Sequence, residues 1–371
     1  MGRLRRDGML DEAIEFSVNK VRKLAVDFID KFPAEQSCNY IYTALENASW
    51  VEGFWTGMLW LAYEFTGDEK LKEIAEGHID ILKKRIDNRI GVDNHDLGFL
   101  YSLSCVSAYK LTGNTVARDT ALTAADLLVQ RFQEKGEFIQ AWGEIGEREN
   151  YRLIVDCLLN IPLLHWATET TGDNRYKDIA VKHLKTTVSV AIREDFTTYH
   201  TYYFDPDTGE KLHGVTHQGY SDDSCWARGQ AWGVYGVALG YAYTKDERLI
   251  SIFNKVTECF LSKLPEDNVP YWDLIFTSGN EPRDTSAAVI AMCGILEMNK
   301  HHKNDKFMDM CLKIMKSLCD NYITDERSNG ILTDGMYART RGDNPECNIW
   351  GDYFFMEALM RIKNPDWKMY W

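Results

Sequence analysis

Apolar and polar positions alternate along this chain between two kinds of stretch. Stretches that are apolar on nearly every side end at short turns, and stretches with one apolar and one charged side follow those turns. The turns read Thr-Gly-Asp or a close variant, at 66–68, 112–114, 171–173 and 244–246. Glycine suits the left-handed residue that ends a helix, and aspartate or asparagine suits the cap that begins the next one. Each turn therefore predicts a tight connection between two helices.

A helix that is apolar all round is buried, whereas a helix with one apolar stripe lies at the surface. The pattern therefore predicts units of an inner helix followed by an outer helix. The predicted inner helices cover 54–65, 97–111, 158–167, 231–243, 286–298 and 350–361. An N-terminal amphipathic stretch, 11–30, lacks an inner partner, and the last inner helix lacks an outer one.

Because these two unpaired ends complement each other, we expect the helices to close into a ring. The predicted fold is all-α, a single domain over 1–371 that forms an α/α barrel of six inner and six outer helices. An open helical solenoid is the structural alternative. Few strands are expected, and the best short candidates are 197–204 and 269–275.

All inner helices of such a barrel run in the same direction, so their N-termini and the segments before them gather at one mouth. Those segments are rich in Trp, His, Asp and Gly. Positive helix ends that point at one pocket favour an anionic ligand. This local field matters because the formal net charge is −14, which argues against a nucleic-acid partner.

The remaining composition limits the cellular setting. The chain is 45% hydrophobic, enough for a large core, but it contains no stretch of 18 apolar residues, so no membrane partner is expected. No apolar secretory segment is visible near the N-terminus. Nine cysteines without a Cys-x-x-Cys pair indicate reduced thiols and predict a cytoplasmic protein.

Two aspartates lie at the predicted mouth in apolar surroundings. Asp96 begins one apolar stretch next to His95, and Asp156 lies within another, with Arg152 as the nearest cation in sequence. A helix cap is the ordinary role for each aspartate. Desolvation, however, raises the pKa of a carboxyl group, which suits a general acid. Pro162 is tolerated only in a first helical turn, so a helix that begins near residue 157 places Asp156 at its start.

The densest polar segment, 217–232, holds Arg228 and Trp232, which are four residues apart and so share one helical face. A cation beside an indole suits a sugar acid, because tryptophan covers the apolar sugar face and arginine binds the carboxylate. A core tryptophan with a salt-bridged arginine is the alternative. His200 and Trp142 are candidates to complete such a pocket. No HExxH motif, phosphate loop or Gly-x-Ser-x-Gly elbow occurs, so we expect no metal and no nucleotide.

Five motifs carry a family resemblance. They read HDLGF at 95–99, DCLLNIPL at 156–163, QGYSDDSCWARGQAW at 218–232, RDTSAA at 283–288 and NIWGDY at 348–353. In this order and over nearly the whole chain, they resemble the unsaturated glucuronyl hydrolases of glycoside hydrolase family 88. The six-hairpin α/α barrel of that family is the fold that the helix pattern predicts.

The resemblance implies an unusual reaction on the 4,5-unsaturated uronic acid that polysaccharide lyases leave at the non-reducing end of glycosaminoglycan oligosaccharides. The resemblance implies hydration of the C4=C5 vinyl ether without a cofactor. The resemblance assigns the general acid/base role to Asp156 and the role of its carboxylate partner to Asp96. The residues that match substrate-contacting positions are Trp50, His95, Trp142, His200, Gln218, Arg228 and Trp232.

One stretch departs from the family pattern. Members that favour sulfated chondroitin carry a Ser, Ser and Lys cluster before the NIWGDY motif, whereas residues 337–343 here read YARTRGD. Arg339 or Arg341 is the alternative source of a sulfate contact. Two rival functions stay open: an unsaturated rhamnogalacturonyl hydrolase that acts on pectin fragments, and a non-catalytic helical-repeat scaffold.

Overall fold

The computed structural model describes residues 3–371, so residues 1 and 2 of the predicted domain lie outside it. The inner helices in this range are α2 (Glu52–Thr66), α4 (Leu97–Tyr101) with α5 (Ser107–Thr112), α7 (Pro162–Thr171), α9 (Ala227–Thr244), α11 (Thr285–Asn299) and α13 (Ile349–Lys363). The outer helices in the same range are α1 (Arg3–Asp27), α3 (Glu69–Asp87), α6 (Thr115–Gln130), α8 (Asn174–Ala191), α10 (Arg248–Ser262) and α12 (Asp305–Asn321).

The inner helices close into a ring. The last of them, α13, packs against both α11 and the first inner helix, α2. The N-terminal helix α1 packs against α12 and α13, so it completes the outer layer where the chain ends meet. The α/α barrel prediction is therefore confirmed, and the open solenoid is wrong. Inner helices such as α11 are buried along almost their whole length, as an apolar surface on every side requires.

The four predicted turns have the expected chemistry. Gly67, Gly113 and Gly172 end their helices with φ values of 69°, 75° and 77°, the left-handed region that glycine enters without steric penalty. At the fourth turn Lys245 takes the same conformation with φ 54°. The following residues in the first three turns accept backbone hydrogen bonds as helix caps, as Asp68 does from the Lys70 N–H.

The third inner helix begins later than predicted. Asp156 lies in a 3₁₀ turn, Val155–Leu159, and the α-helix starts only at Pro162, which occupies its first turn. The expectation that Asp156 sits at the start of an α-helix near residue 157 is therefore wrong. Proline lacks a backbone N–H and is therefore favoured in the first turn of a helix, and the α-helix begins at Pro162 itself and not near residue 157. The second inner helix also differs, because a π-helical turn, Ser102–Val106, joins α4 to α5.

Short strands lie between the helices. They are β1 (Phe32–Pro33), β2 (Ala44–Leu45), β3 (Phe132–Gln133), β4 (Phe138–Ile139), β5 (Arg152–Ile154), β6 (Thr201–Phe204) and β7 (Lys211–Val215). The last three form one antiparallel sheet in the order β5-β6-β7. The predicted strand at 197–204 is confirmed for its second half. The predicted strand at 269–275 is wrong, because that stretch makes only isolated bridges through Tyr271 and Asp273.

Across residues 3–371, every helix falls short of the length and apolar character that a membrane crossing needs.

Candidate active site

A cavity of about 550 Å³ opens at the mouth where the inner helices begin. Its lining residues are Trp50, His95, Asp96, Trp142, Arg152, Ile154, Asp156, His200, His217, Gln218, Trp226, Arg228, Trp232, Tyr337 and Arg341. All nine residues that the sequence singled out as catalytic or substrate-binding lie in this one cavity. They come from segments as far apart as residue 50 and residue 232, so the ring of helices is what brings them together.

The two aspartates and His95 form the centre of the pocket. One carboxylate oxygen of Asp96, one of Asp156 and one ring nitrogen of His95 all lie within 4.8 Å of one another. The His95 Nε2 lies 3.5 Å from the Asp96 Oδ1 and 3.6 Å from the Asp156 Oδ1. The side chain of Asp96 is 5% exposed and that of Asp156 is 19% exposed. Both carboxylates line the cavity, and Asp156 is the more exposed of the two.

Neither aspartate caps a helix with its side chain. Asp96 directly precedes α4, but its carboxylate makes no capping hydrogen bond. Instead the Asn94 side chain accepts a hydrogen bond from the Asp96 N–H at 2.8 Å and holds that turn. The Asp156 Oδ1 is buried and has no hydrogen-bond partner among the described residues, and the same holds for the His95 Nδ1. Buried polar atoms are rarely left unpaired, so these two atoms have unused hydrogen-bonding capacity.

Burial raises the pKa of both aspartates. For Asp156 it raises the pKa to about 7, against the lowering effect of the Arg228 charge and of nearby backbone N–H groups. For Asp96 burial raises the pKa well above its usual range, and the neighbouring Asp156 charge raises it further. Two like charges this close disfavour double ionisation. The pair therefore retains a proton near neutral pH, which a general acid requires.

His95 is neutral in this setting. Burial lowers the pKa of its imidazole well below the usual value, and the charge of Arg131 lowers it further. His95, Asp96 and Asp156 together offer three ligand atoms of a kind that divalent cations accept. A cation there would compete with the proton that the two raised pKa values retain. The predicted absence of a metal stays a prediction.

Arg228 is more fully engaged than the sequence indicated. Its guanidinium donates to the Met336 and Tyr337 carbonyl oxygens at 2.6 and 2.7 Å, and lies 3.4 Å from an Asp284 carboxylate oxygen. The indole of Trp226 lies against it, with 4.6 Å between ring centroid and guanidinium carbon. Arg228 is therefore a salt-bridged arginine, as the alternative interpretation of the sequence held. Its side chain nevertheless lines the cavity. Its contacts fix the loop that carries Tyr337.

His200 presents a hydrogen-bond donor to the cavity. Its Nδ1 accepts the backbone N–H of His217 at 3.0 Å, and burial lowers its pKa well below the usual value. A neutral imidazole that accepts at Nδ1 carries its proton on Nε2. Gln218 donates from its side-chain amide to the Tyr337 carbonyl at 3.3 Å. These contacts join the 216–218 segment to the Tyr337 loop on one side of the cavity.

Aromatic rings form the floor and rim. Trp50 and Trp232 each pack against Phe99, with ring centroids 5.5 Å apart in both pairs. Trp142 stands on the rim, 40% exposed, with its ring edge-on to His95. Flat apolar walls of this kind suit the carbon-bearing face of a sugar ring.

Six lining residues were absent from the predicted set: Arg152, Ile154, His217, Trp226, Tyr337 and Arg341. Two of them, His217 and Trp226, lie in segment 217–232, the densest polar segment of the sequence. The composition of that segment could have predicted them as cavity residues. The sequence predicted a sulfate contact from either Arg339 or Arg341. Of these two, Arg341 lines the cavity and Arg339 does not. Tyr337 enters because the Arg228 contacts draw its loop inward, which no local pattern reveals.

Known proteins resemble this chain along its length. The model of the family described as Glycosyl Hydrolase Family 88 matches residues 21–365. A relative from Streptococcus agalactiae serotype III (strain NEM316), named unsaturated chondroitin disaccharide hydrolase, is 47% identical over 371 residues, which is 98% of this chain and 93% of the relative.

Solved structures agree with that match. The crystal structure of unsaturated glucuronyl hydrolase from Streptococcus agalactiae has a TM-score of 0.95 at 47% identity, over 98% of this chain and 94% of that one. A mutant of that enzyme, complexed with dGlcA-GalNAc6S, has a TM-score of 0.87 at 42% identity over 98% and 93% of the two chains.

Proposed function

Because the chain belongs to glycoside hydrolase family 88, we propose that it releases 4,5-unsaturated glucuronic acid from the non-reducing end of lyase-generated glycosaminoglycan oligosaccharides. The observation that carries this proposal is the Asp156 carboxyl group. It faces an open cavity, has an unpaired buried oxygen and has a pKa raised to about 7. These are the properties that a group needs to protonate a weakly basic carbon near neutral pH.

The proposed reaction begins at the C4=C5 vinyl ether. Asp156 donates its proton to C4, and positive charge develops at C5 and the ring oxygen. Water adds at C5 and returns a proton to the Asp156 carboxylate. The resulting hemiketal opens by breaking the bond between C5 and the ring oxygen, and the remaining sugar then leaves from C1. The short distance between the two aspartates does not indicate a covalent sugar intermediate here, because neither carboxylate attacks C1.

Asp96 supports this step as the carboxylate partner of Asp156. Burial and the Asp156 charge raise the pKa of Asp96 well above its usual range, so Asp96 resists ionisation and places no second negative charge beside the proton donor. Negative charge on the pair stabilises the positive C5 once that proton has moved. Neutral His95 lies against both carboxylates and lines the cavity, and it contacts the substrate in this proposal.

The other predicted residues bind the sugar. Trp50, Trp142 and Trp232 cover its apolar surfaces, and the Nε2–H of His200 and the side-chain amide of Gln218 supply hydrogen bonds. Arg228 contributes its positive charge to the cavity while it holds the Tyr337 loop. Arg341, which lines the cavity, is better placed than Arg339 for a sulfate contact.

Chondroitin disaccharides are the proposed substrate class. The name of the 47% identical relative specifies a chondroitin disaccharide, and the ligand of the solved mutant pairs an unsaturated uronate with a 6-sulfated hexosamine. These similarities favour the glycosaminoglycan function over a rhamnogalacturonyl hydrolase. A non-catalytic scaffold is disfavoured by the carboxylate pair in a closed ring. Nine unpaired cysteines support the proposed cytoplasmic location.

The test is the ultraviolet absorbance of the conjugated double bond. Incubation with unsaturated chondroitin disaccharide is expected to abolish that absorbance, and an unsaturated rhamnogalacturonan disaccharide is expected to react far more slowly. Asp156→Asn should lower kcat by at least about 100-fold, since general acid catalysis contributes that much or more. Full activity in a folded Asp156→Asn protein would contradict the assignment of Asp156 as the general acid.

A further inference from the structure

A single uncompensated cation stands at the edge of the active-site cavity. Arg152 is half-buried on strand β5 and lines the cavity. Among the described residues no carboxylate oxygen lies within ion-pair distance of its guanidinium, and its buried Nε has no hydrogen-bond partner. Its Nη1 donates to the phenol oxygen of Tyr203. The charge is therefore partly removed from water without an anion to balance it, which is unfavourable.

Other buried arginines of the fold are balanced in one of two ways. Arg85 pairs with Glu52, and Arg361 pairs with Glu297. Arg131 has no such partner within ion-pair distance but donates to three backbone carbonyls, those of Asp93, Gln140 and Gly143. Arg152 has neither arrangement, so its charge calls for a partner that enters from the cavity.

The other two arginines of the cavity do not have this property. The charge of Arg228 lies beside Asp284, and its guanidinium already donates to two backbone carbonyls. Arg341 is exposed at the rim, where water hydrates its charge. Arg152 also lies close enough to His95, His200 and His217 for its charge to lower the pKa of each imidazole. These three residues line the same cavity, so Arg152 adds positive charge to the part of the pocket that they form.

A stack of rings holds Arg152 in position. Tyr203 is its partner across the sheet, and the guanidinium carbon lies 5.4 Å from the Tyr203 ring centroid. The His213 ring on strand β7 stacks on Tyr203 with centroids 5.4 Å apart and planes 15° apart. The planar guanidinium is thus supported across three strands. A preorganised planar fork suits bidentate binding of an oxyanion.

We propose that Arg152 binds an oxyanion of the substrate, which is either the uronate carboxylate or a sulfate on the adjoining sugar. This inference rests on the proposed function, because only that function places an anionic sugar in the cavity. Loss of a charge-assisted contact is expected to raise KM by about 10-fold or more while kcat changes little.

The experiment compares KM and kcat on two substrates, the unsulfated and the 6-sulfated unsaturated chondroitin disaccharides. If Arg152 binds the uronate carboxylate, Arg152→Gln raises KM on both substrates. If it binds the sulfate, KM rises only on the sulfated one. Arg152→Lys, which keeps the charge but loses the fork, should give an intermediate KM. It also serves as the test protein should Arg152→Gln fail to fold.

Arg148→Gln is the matched control. Arg148 is exposed, pairs with Asp205 and Asp207, and lies outside the cavity lining. Its loss removes the same charge without removing a cavity contact, so KM should stay within about 2-fold, as for a surface pair. Unchanged KM on both substrates in a folded Arg152→Gln protein, or an equal rise in Arg148→Gln, would overturn the proposal.

Calorimetry separates this inference from the proposed function. Asp156→Asn and Asp156→Asn with Arg152→Gln are titrated with both disaccharides, so that binding is measured without turnover. Weaker binding in the double variant supports the role of Arg152, and equal binding contradicts it. If the unsubstituted protein turns over neither disaccharide, the proposed function fails, while the binding comparison still decides the role of Arg152.

Discussion

Gly98 and Asn160 meet directly behind the two aspartates of the site. A β-carbon on Gly98 would lie 2.3 Å from the Asn160 Cα and 2.5 Å from its carbonyl oxygen. The Asn160 Oδ1 also accepts the backbone N–H of Phe99 at 2.8 Å. Asp96 lies two residues before Gly98, and Asp156 lies four residues before Asn160. This backbone contact therefore sets the separation of the two carboxylates.

Gly98→Ala is expected to push the two segments apart. The atoms that a methyl group would meet are backbone atoms, so they cannot rotate away, and overpacking of this kind costs about 1 to 3 kcal/mol. We expect a lower Tm and a kcat that falls by more than the loss of folded protein explains. Thermal unfolding and turnover of the unsaturated disaccharide measure the two effects.

Gly77→Ala is the matched control, because Gly77 lies in outer helix α3 and a β-carbon there would meet nothing within 4 Å. Alanine in an exposed helix should stabilise the protein by about 0.5 to 1 kcal/mol and leave kcat unchanged. Wild-type kcat in Gly98→Ala would show that the contact does not set the carboxylate geometry.

The pH dependence of turnover should reflect Asp156. Its pKa is raised to about 7, so the protonated acid is depleted as the pH rises through that value. We expect kcat/KM to fall about 10-fold per pH unit well above pH 7. Steady-state rates between roughly pH 5 and 9, a range that brackets this pKa, measure this fall, which is the alkaline limb of the pH profile.

Asp352 is the control for this limb, because burial raises its pKa to about 7 as well. Its carboxylate accepts the Tyr42 hydroxyl and the backbone N–H groups of Ile331 and Leu332, and it does not line the cavity. Asp352→Asn should lower Tm but leave the midpoint of the alkaline limb in place. If the midpoint of the alkaline limb moves in Asp352→Asn, the titration belongs to Asp352 and the assignment to Asp156 is wrong.

Asp156→Asn should change stability in a pH-dependent direction. The folded pKa of Asp156 lies above the unfolded value, so its proton stabilises the folded state fully below about pH 4. That contribution is lost as the pH rises toward 7. Asparagine does not titrate, so the variant should gain in Tm relative to the unsubstituted protein as the pH rises from 4 to 8. Parallel Tm curves across that range would contradict the raised pKa.

Arg228→Lys should disturb the pocket although it keeps the charge. An ammonium group cannot reproduce the planar contacts with the Met336 and Tyr337 carbonyls and with the Trp226 ring. We expect a stability loss of about 1 to 3 kcal/mol and a higher KM. Arg22→Lys is the comparison, because Arg22 is exposed and pairs with Asp68 outside the cavity lining. It should change stability by less than about 1 kcal/mol and leave KM alone.

Chelation should leave the activity intact. The proposed reaction needs a proton on the Asp96 and Asp156 pair, and a divalent cation bound by both carboxylates and His95 would displace it. We therefore expect full turnover after dialysis against EDTA, and inhibition by added Zn²⁺ that weakens at lower pH. Loss of activity with EDTA and recovery with one metal would replace the proposed mechanism with a metal-assisted one.

Local signals in the sequence determined the helices and their arrangement. Gly67, Gly113 and Gly172 are the residues that a left-handed helix end prefers, and the two kinds of apolar pattern separated inner helices from outer ones. These effects act within a few residues, so each can be predicted where it occurs. The motifs that resemble the family added Asp96, Asp156 and the sugar-binding positions, which periodicity alone could not distinguish from helix caps.

Contacts between distant segments decided the rest. Pairing of Arg228 with Asp284, the contact of Gly98 with Asn160 and the stack of Arg152 on Tyr203 each join residues more than 50 positions apart. The charge state of a carboxyl or guanidinium group depends on burial and on such neighbours, not on its place in a motif. For that reason the sequence could identify Asp156 as the candidate acid and anticipate a raised pKa from its apolar neighbours, whereas its position beside Asp96 and His95 and the unbalanced charge of Arg152 became visible only once the ring had closed around them.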